Sequence, residues 1–161
     1  MGDLEIIPRS GWNALEFNEK DAKLLHPEKI IVHHTEMKRS IQDGKRGVLI
    51  IQEYHKKERG YRDIAYHYLI DSKGKIYEGA PIKFMIENDG RIYSKAPPEF
   101  LKNNSRYNKS IEICLFGDFD LEQPTKEQID SLKKLLIETS KNTKYLKKKS
   151  MAIETFPNHI G

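Results

Sequence analysis

Residues Lys29–Thr35 read KIIVHHT. Ile30, Ile31 and Val32 form a β-branched apolar run, which predicts a buried strand. The run ends abruptly in two histidines and a threonine. A buried strand holds polar residues at its end rigidly at the rim of the core, where chemistry is well placed. His33 and His34 are adjacent, so on a strand they point to opposite faces and at most one can face a given site. On these residues alone, a solvated strand end and a functional site are equally open readings.

The flanking sequence supplies the rest of a sheet. Residues 3–29 read as irregular, with Pro8, the cluster Arg9–Ser10–Gly11–Trp12 and Pro27; Trp12, the only tryptophan, is expected to anchor this arm on the body. From Gly47 to Glu58 the pattern is helical, with Val48, Ile51, Gln52 and His55 on one face, Leu49, Ile50 and Tyr54 widening it, and Gly60 as a stop. Ile64–Asp71 alternates with the period of a strand. Asp71–Ser72–Lys73–Gly74 is turn chemistry and Lys75–Tyr77 starts a return strand, giving a hairpin. Residues 80–109 are the least regular, with a short strand suggested at Ile92–Tyr93. Ile111–Phe116 reads as a central strand bounded by Gly117. Thr125 and Gln128 form a capping box that opens a helix running to about Lys141, and a last strand is expected near Ser150–Ile153. Strands and helices that alternate irregularly, with one hairpin, predict an α/β fold: a central mixed β-sheet flanked by helices, in a single domain over 1–161.

Composition narrows the function classes. The net charge is +4 and the pI about 9.0, which suits an anionic partner such as a cell-wall polymer, nucleic acid or a lipid surface. The basic run Lys144–Lys149 has a single aromatic residue, Tyr145, and no recognition element, so nucleic acid is not the expected partner. The one cysteine, Cys114, excludes an internal disulfide and reads as a small core residue. No apolar run approaches the length of a membrane span. The first residues lack a signal peptide's apolar segment and fail the myristoylation pattern. The chain is therefore expected to be made as a soluble protein or to have lost a leader, and to be a monomer.

Taken in order, Arg9–Trp12, IIVHHT at 30–35, IQEYHKKERGYRDIAYHYLID at 51–71, GKIYEG at 74–79, SIEICLFGDF at 110–119 and the helix opened by Pro124–Thr125 go beyond pattern. They resemble the zinc-dependent N-acetylmuramoyl-L-alanine amidases that share a fold with peptidoglycan recognition proteins. The resemblance spans roughly residues 9–140 and then His159, and the stretch from Ile51 to Gly79 is its most specific part. It implies the peptidoglycan recognition protein-like amidase fold, Zn2+ as cofactor, and His33 and His159 as metal ligands. It places Tyr66 beside the metal as a catalytic residue. The implied partner is peptidoglycan or a muropeptide, and the implied reaction is hydrolysis of the amide between N-acetylmuramic acid and L-alanine at the bacterial cell wall. Secretion, release by phage lysis and a cytoplasmic location all stay open.

Departures from the family pattern carry expectations too. The family's third ligand would follow His159, and the sequence stops at Gly161, so the domain is expected to lack the family's C-terminal ligand loop. That keeps a non-catalytic peptidoglycan-binding module as the alternative. Glu112 replaces a glycine of the family's strand. Related amidases carry a catalytic glutamate two residues later, where this chain has Cys114, and residues two apart share a strand face. Glu112 is therefore a candidate displaced acid-base group, with a salt bridge or an exposed edge position as the plainer reading. The family's Gly-x-His motif is missing and the 80–109 stretch takes its place, which is expected to reshape the substrate groove. Candidate substrate contacts are His34, Tyr61, His67 and Asn108, although His34 is expected to face away from the metal and to bond a neighbouring loop. His55 and His67 read as core-edge or groove-lining residues, His26 as surface, and Asp63 as a cap at the strand entrance.

Overall fold

The computed structural model describes residues 4–20, 22–37, 44–84, 86, 110–142 and 152–155. Ile92–Tyr93, Asn108, Lys144–Lys149 and His159 lie outside the described residues. In chain order the elements are β1 (Ile6–Ile7), a 3-10 turn (Arg9–Trp12), β2 (Lys29–His34), α1 (Lys45–Glu53), a π-helical turn (Tyr54–Glu58), β3 (Tyr68–Ile70), β4 (Ile76–Glu78), β5 (Ser110–Leu115), α2 (Lys126–Asn142) and β6 (Ala152–Thr155).

The strands form one mixed six-stranded sheet in the order β1-β4-β3-β5-β2-β6. Only the β3–β4 hairpin is antiparallel; β2 runs parallel to both β5 and β6. This is the α/β architecture the sequence predicts. β2 and β5 are covered on both faces, which is why both read as continuous apolar runs. One face carries Leu69 and Cys114 beneath Trp12, Val48, Ile51 and Tyr66. The other carries Ile30, Val32, Ile111, Ile113 and Leu115 against Leu135 of α2. Among the described residues no helix is long and apolar enough to cross a membrane.

Local chemistry explains most boundaries. Asp71 holds the hairpin turn, its Oδ1 accepting the amides of Lys73 and Lys75 at 3.0 Å each and its Oδ2 the Tyr77 hydroxyl at 2.9 Å. The capping box forms as predicted: the Gln128 amide donates to Thr125 Oγ1, and the Thr125 amide to Gln128 Oε1, both at 3.0 Å. Gly60 ends the π-helical turn at φ 72°, in the left-handed region glycine favours.

Three expectations need correction. The predicted helix starts at Lys45, gives way to the π-helical turn after Glu53, and that turn is closed by the Arg59 amide on the Tyr54 carbonyl at 3.1 Å. The predicted strand over 64–71 pairs as a strand only at Tyr68–Ile70, because residues 63–67 are all buried and bond individually to surrounding groups. Within the arm read as irregular, Ile6–Ile7 adds an edge strand parallel to β4, too short to leave a period of its own. Trp12 does anchor the arm: it is 1% exposed and its indole N–H donates to the Glu78 carbonyl at 2.7 Å.

Candidate functional site

The β2–β5 register sets His33 opposite Cys114 and Ile31 opposite Glu112, so His33 and Glu112 share one face of the sheet, one residue pair apart. His33 Nε2 lies 3.2 Å from Glu112 Oε1, and both side chains are buried. His33 Nδ1 is buried and has no hydrogen-bond partner among the described residues. The ring of Tyr66 stands 5.5 Å from that of His33. Burial pushes the Cys114 thiol well above its ordinary range, so this cysteine is a packing group and not a nucleophile.

Tyr66 and His55 form one wall of a cavity of about 340 Å³ whose lining also includes Thr35, Glu36, Met37, Ile50, Ile51 and Tyr54. That volume is within the usual range for small-ligand sites, and a mostly apolar lining with a few polar groups is their usual composition. Thr35 shapes the mouth of this cavity. Its Oγ1 accepts the Gly117 amide at 3.0 Å and donates to the Gly117 carbonyl at 3.2 Å, tying the ends of β2 and β5 together. Glu36 follows at φ 62°, in the left-handed region.

His55 stands on the inward face with Val48, Ile51 and Gln52. Its Nδ1 accepts the Ala65 amide at 3.0 Å, so the proton of the neutral ring sits on Nε2. That Nε2 is buried and has no hydrogen-bond partner among the described residues. Burial, helped by the nearby Arg59 cation, pulls the pKa down to about 3. His55 is therefore a neutral donor on the cavity wall. This is the core-edge or groove-lining place that its helical spacing with Val48, Ile51 and Gln52 led the sequence to expect.

The loop that carries Tyr66 is held from beneath. Arg9 forks onto Asp63, with Nη2 2.8 Å from Oδ2 and Nη1 3.4 Å from Oδ1, and it also donates to the carbonyls of Gly79 and Leu15. Asp63 Oδ1 accepts the Gln52 amide group at 3.0 Å and the Ile64 backbone amide at 2.6 Å. The expected cap at the strand entrance is present, as part of a wider network.

The remaining predicted residues fall in different places. His34 faces the opposite side of the sheet, accepts the Phe119 amide at 3.0 Å and stacks on the Phe119 ring, as expected for a residue turned away from the site. Tyr61 packs on His55 with ring centroids 5.3 Å apart, at one remove from the cavity. His67 is fully buried: its Nδ1 accepts the Glu112 amide at 2.9 Å and its Nε2 bonds the Phe84 carbonyl at 2.8 Å. Both ring nitrogens are thus engaged by the fold, and no nitrogen is left for a substrate. Glu112 is neither exposed nor at an edge, since β5 lies between β3 and β2; it makes the salt-bridge contact with His33.

The residues fit the metal that the resemblance implies at one point. A ligand imidazole needs a bare ring nitrogen and usually offers its other N–H to a carboxylate or carbonyl. His33, with Glu112 at Nε2 and no partner for Nδ1, has that arrangement. Among the described residues no three His, Cys, Asp or Glu side chains come together as a metal cluster.

Comparison with known proteins agrees with this fold. The family model described as N-acetylmuramoyl-L-alanine amidase matches residues 23–154. Peptidoglycan recognition protein 1 of Mus musculus is 38% identical over 77 residues, covering 46% of this chain and 42% of that protein. Peptidoglycan-recognition protein 2 of Holotrichia diomphalia is 28% identical over 133 residues, covering 81% of this chain and 64% of its own length. The chain thus spans about two-fifths to two-thirds of the length of these relatives. A Drosophila PGRP-LB tyrosine-to-phenylalanine variant, solved in complex with tracheal cytotoxin, superposes with a TM-score of 0.71 at 25% identity, over 93% of this chain and 81% of that one.

Proposed function

This chain belongs to the N-acetylmuramoyl-L-alanine amidase family, and on that premise we propose that it hydrolyses the amide joining N-acetylmuramic acid to L-alanine in peptidoglycan at the bacterial cell wall. The observation that carries this reading is His33, whose buried Nδ1 has no hydrogen-bond partner among the described residues, standing 5.5 Å from a tyrosine on the wall of an open cavity. Zinc, held in part by His33 with His159 as the second ligand the resemblance implies, would polarise the scissile carbonyl and bring the pKa of a bound water to roughly 7.

The chain's own groups do the rest. The Tyr66 hydroxyl, on the cavity wall beside His33, supplies a donor for a developing oxyanion. His55, held neutral by burial, backs the Tyr66 ring from the cavity wall. Met37, Ile50 and Ile51 give the cavity an apolar surface for a stem-peptide side chain and keep water from the donors. The test is digestion of purified muropeptides followed by mass spectrometry. Release of the lactyl-free stem peptide is expected, and it should vanish in His33→Ala and under chelation. Cleavage that survives both would refute the mechanism.

A second reading, recognition of the same polymer without hydrolysis, is favoured by the relatives, which are named for recognition. It predicts muropeptide binding with no product in zinc-supplemented buffer.

A further inference from the structure

We propose that Glu112 is a positioning residue: it accepts the Nε2–H of His33 from the neighbouring strand and so presents the Nδ1 lone pair as a metal ligand. The inference rests on the metal-dependent amidase reading. It assigns to Glu112 a role that neither direct acid-base catalysis nor simple packing covers.

The placement is costly without a function. Glu112 is 0% exposed, and a carboxylate taken from water costs several kcal/mol unless it is paired. The glycine that the resemblance leads one to expect here would carry no such cost. The carboxylate faces the imidazole 3.2 Å away. An ionised carboxylate can only accept, so the nitrogen facing it carries the proton and, in the neutral ring, the other nitrogen is bare. Neither Glu112 nor His33 is among the residues lining the cavity; His33 reaches it beside Tyr66, and Glu112 acts through its contact with His33.

The backbone that carries the carboxylate is itself held in place. The backbone N–H of Glu112 donates to His67 Nδ1 at 2.9 Å, the His67 backbone N–H donates to the Glu112 carbonyl at 2.8 Å, and His67 Nε2–H donates to the Phe84 carbonyl at 2.8 Å. A run of buried hydrogen bonds therefore leads from Phe84 through His67 and Glu112 to His33. It gives His67 a part in the site without any contact to substrate. Such partners of metal-bound histidines fix both tautomer and ring orientation.

The tautomer can be read without metal or turnover. Long-range proton–nitrogen correlation spectra of the metal-free full chain, labelled with 15N-histidine and held at a pH where His33 is neutral, should show His33 as the Nε2–H form. Zinc affinity, measured by competition with a chromophoric chelator, should fall roughly 10- to 100-fold in Glu112→Leu. Glu112→Gln keeps an acceptor oxygen within reach and should retain most of the affinity. Circular dichroism checks that each variant folds; if the leucine variant does not, the wild-type tautomer and the glutamine variant still decide. An Nδ1–H tautomer in the wild type, or a folded leucine variant with wild-type zinc affinity, would overturn the proposal. A wild type that binds zinc with the expected tautomer yet cleaves no muropeptide would overturn the proposed hydrolysis and support this inference. A wild type that binds no zinc would overturn both.

Discussion

Arg9 and Asp63, 54 residues apart in sequence, meet as a forked pair in which Asp63 is almost wholly buried and Arg9 mostly so. The pair matters because Asp63 opens the segment that ends in Tyr66, while Arg9 also donates to the Gly79 carbonyl across the hairpin. Removing the cation would leave a buried carboxylate with its backbone and Gln52 donors only. Arg9→Ala is expected to destabilise the fold by about 3 kcal/mol, measured by urea unfolding. Arg9→Lys should recover only part of it, because an ammonium cannot reproduce the fork. A change in Arg9→Ala within roughly 0.5 kcal/mol of wild type, the size of an ordinary surface substitution, would show that the segment is held without the pair.

His55 makes stability fall in mild acid. Its folded pKa is drawn down to about 3 from the ordinary value of 6.5. The unfolded chain therefore takes up a proton between pH 6.5 and pH 3 that the folded chain does not, and stability is lost as the pH falls through that window. The full span corresponds to on the order of 5 kcal/mol. His67, also lowered chiefly by burial, adds an effect of the same sign. Urea unfolding at pH 7, 5.5 and 4.5 should show the decline, and His55→Gln should make it shallower without abolishing it. An unchanged slope in that variant would mean that His55 is not held neutral.

Tyr66→Phe separates transition-state stabilisation from packing. The ring fills the core cluster around Leu69 and Phe116, and phenylalanine keeps that volume, so the fold should be retained. Loss of one oxyanion donor is expected to lower kcat by roughly 100- to 1,000-fold with KM little changed. Steady-state rates of stem-peptide release would show this. A rise in KM at constant kcat would make Tyr66 a binding contact instead.

What was legible in the sequence was what repeats locally. The β-branched run before His33, the Asp71–Gly74 turn and the Thr125–Gln128 box each state their structure within a few residues, and each formed. The segment 64–67 looked like strand because it alternates, but both of its sides are covered, so alternation carried no information about pairing. The Arg9–Asp63–Gln52 network and the Glu112–His33 contact join residues far apart in sequence, so no window of sequence displays them. His55 was legible in part: helical spacing put its side chain inside or along the groove, but not the Ala65 amide on its Nδ1, which comes from another segment and fixes the tautomer.

Two glycines offer a control for whether Tyr66 must be held in place. A Cβ at Gly79 would collide with the Tyr66 carbonyl oxygen, which already accepts the Ala80 amide at 2.8 Å. The obstacle is backbone, so Gly79→Ala can be accommodated only by moving the chain at Tyr66. A Cβ at Gly74 would meet the Glu127 carbonyl oxygen at 2.8 Å, at a residue with φ +83°, so Gly74→Ala is strained as well, but at the hairpin turn packed against α2. Each should destabilise by about 1–3 kcal/mol, read as a lowered urea midpoint. Their activities should then part. Per folded molecule, Gly74→Ala should cleave muropeptides like the wild type, whereas Gly79→Ala should lose kcat because its tyrosine is displaced. Equal activity per folded molecule in the two variants would mean that the backbone at Tyr66 tolerates movement, and that the Arg9–Asp63 clamp beneath it serves stability alone.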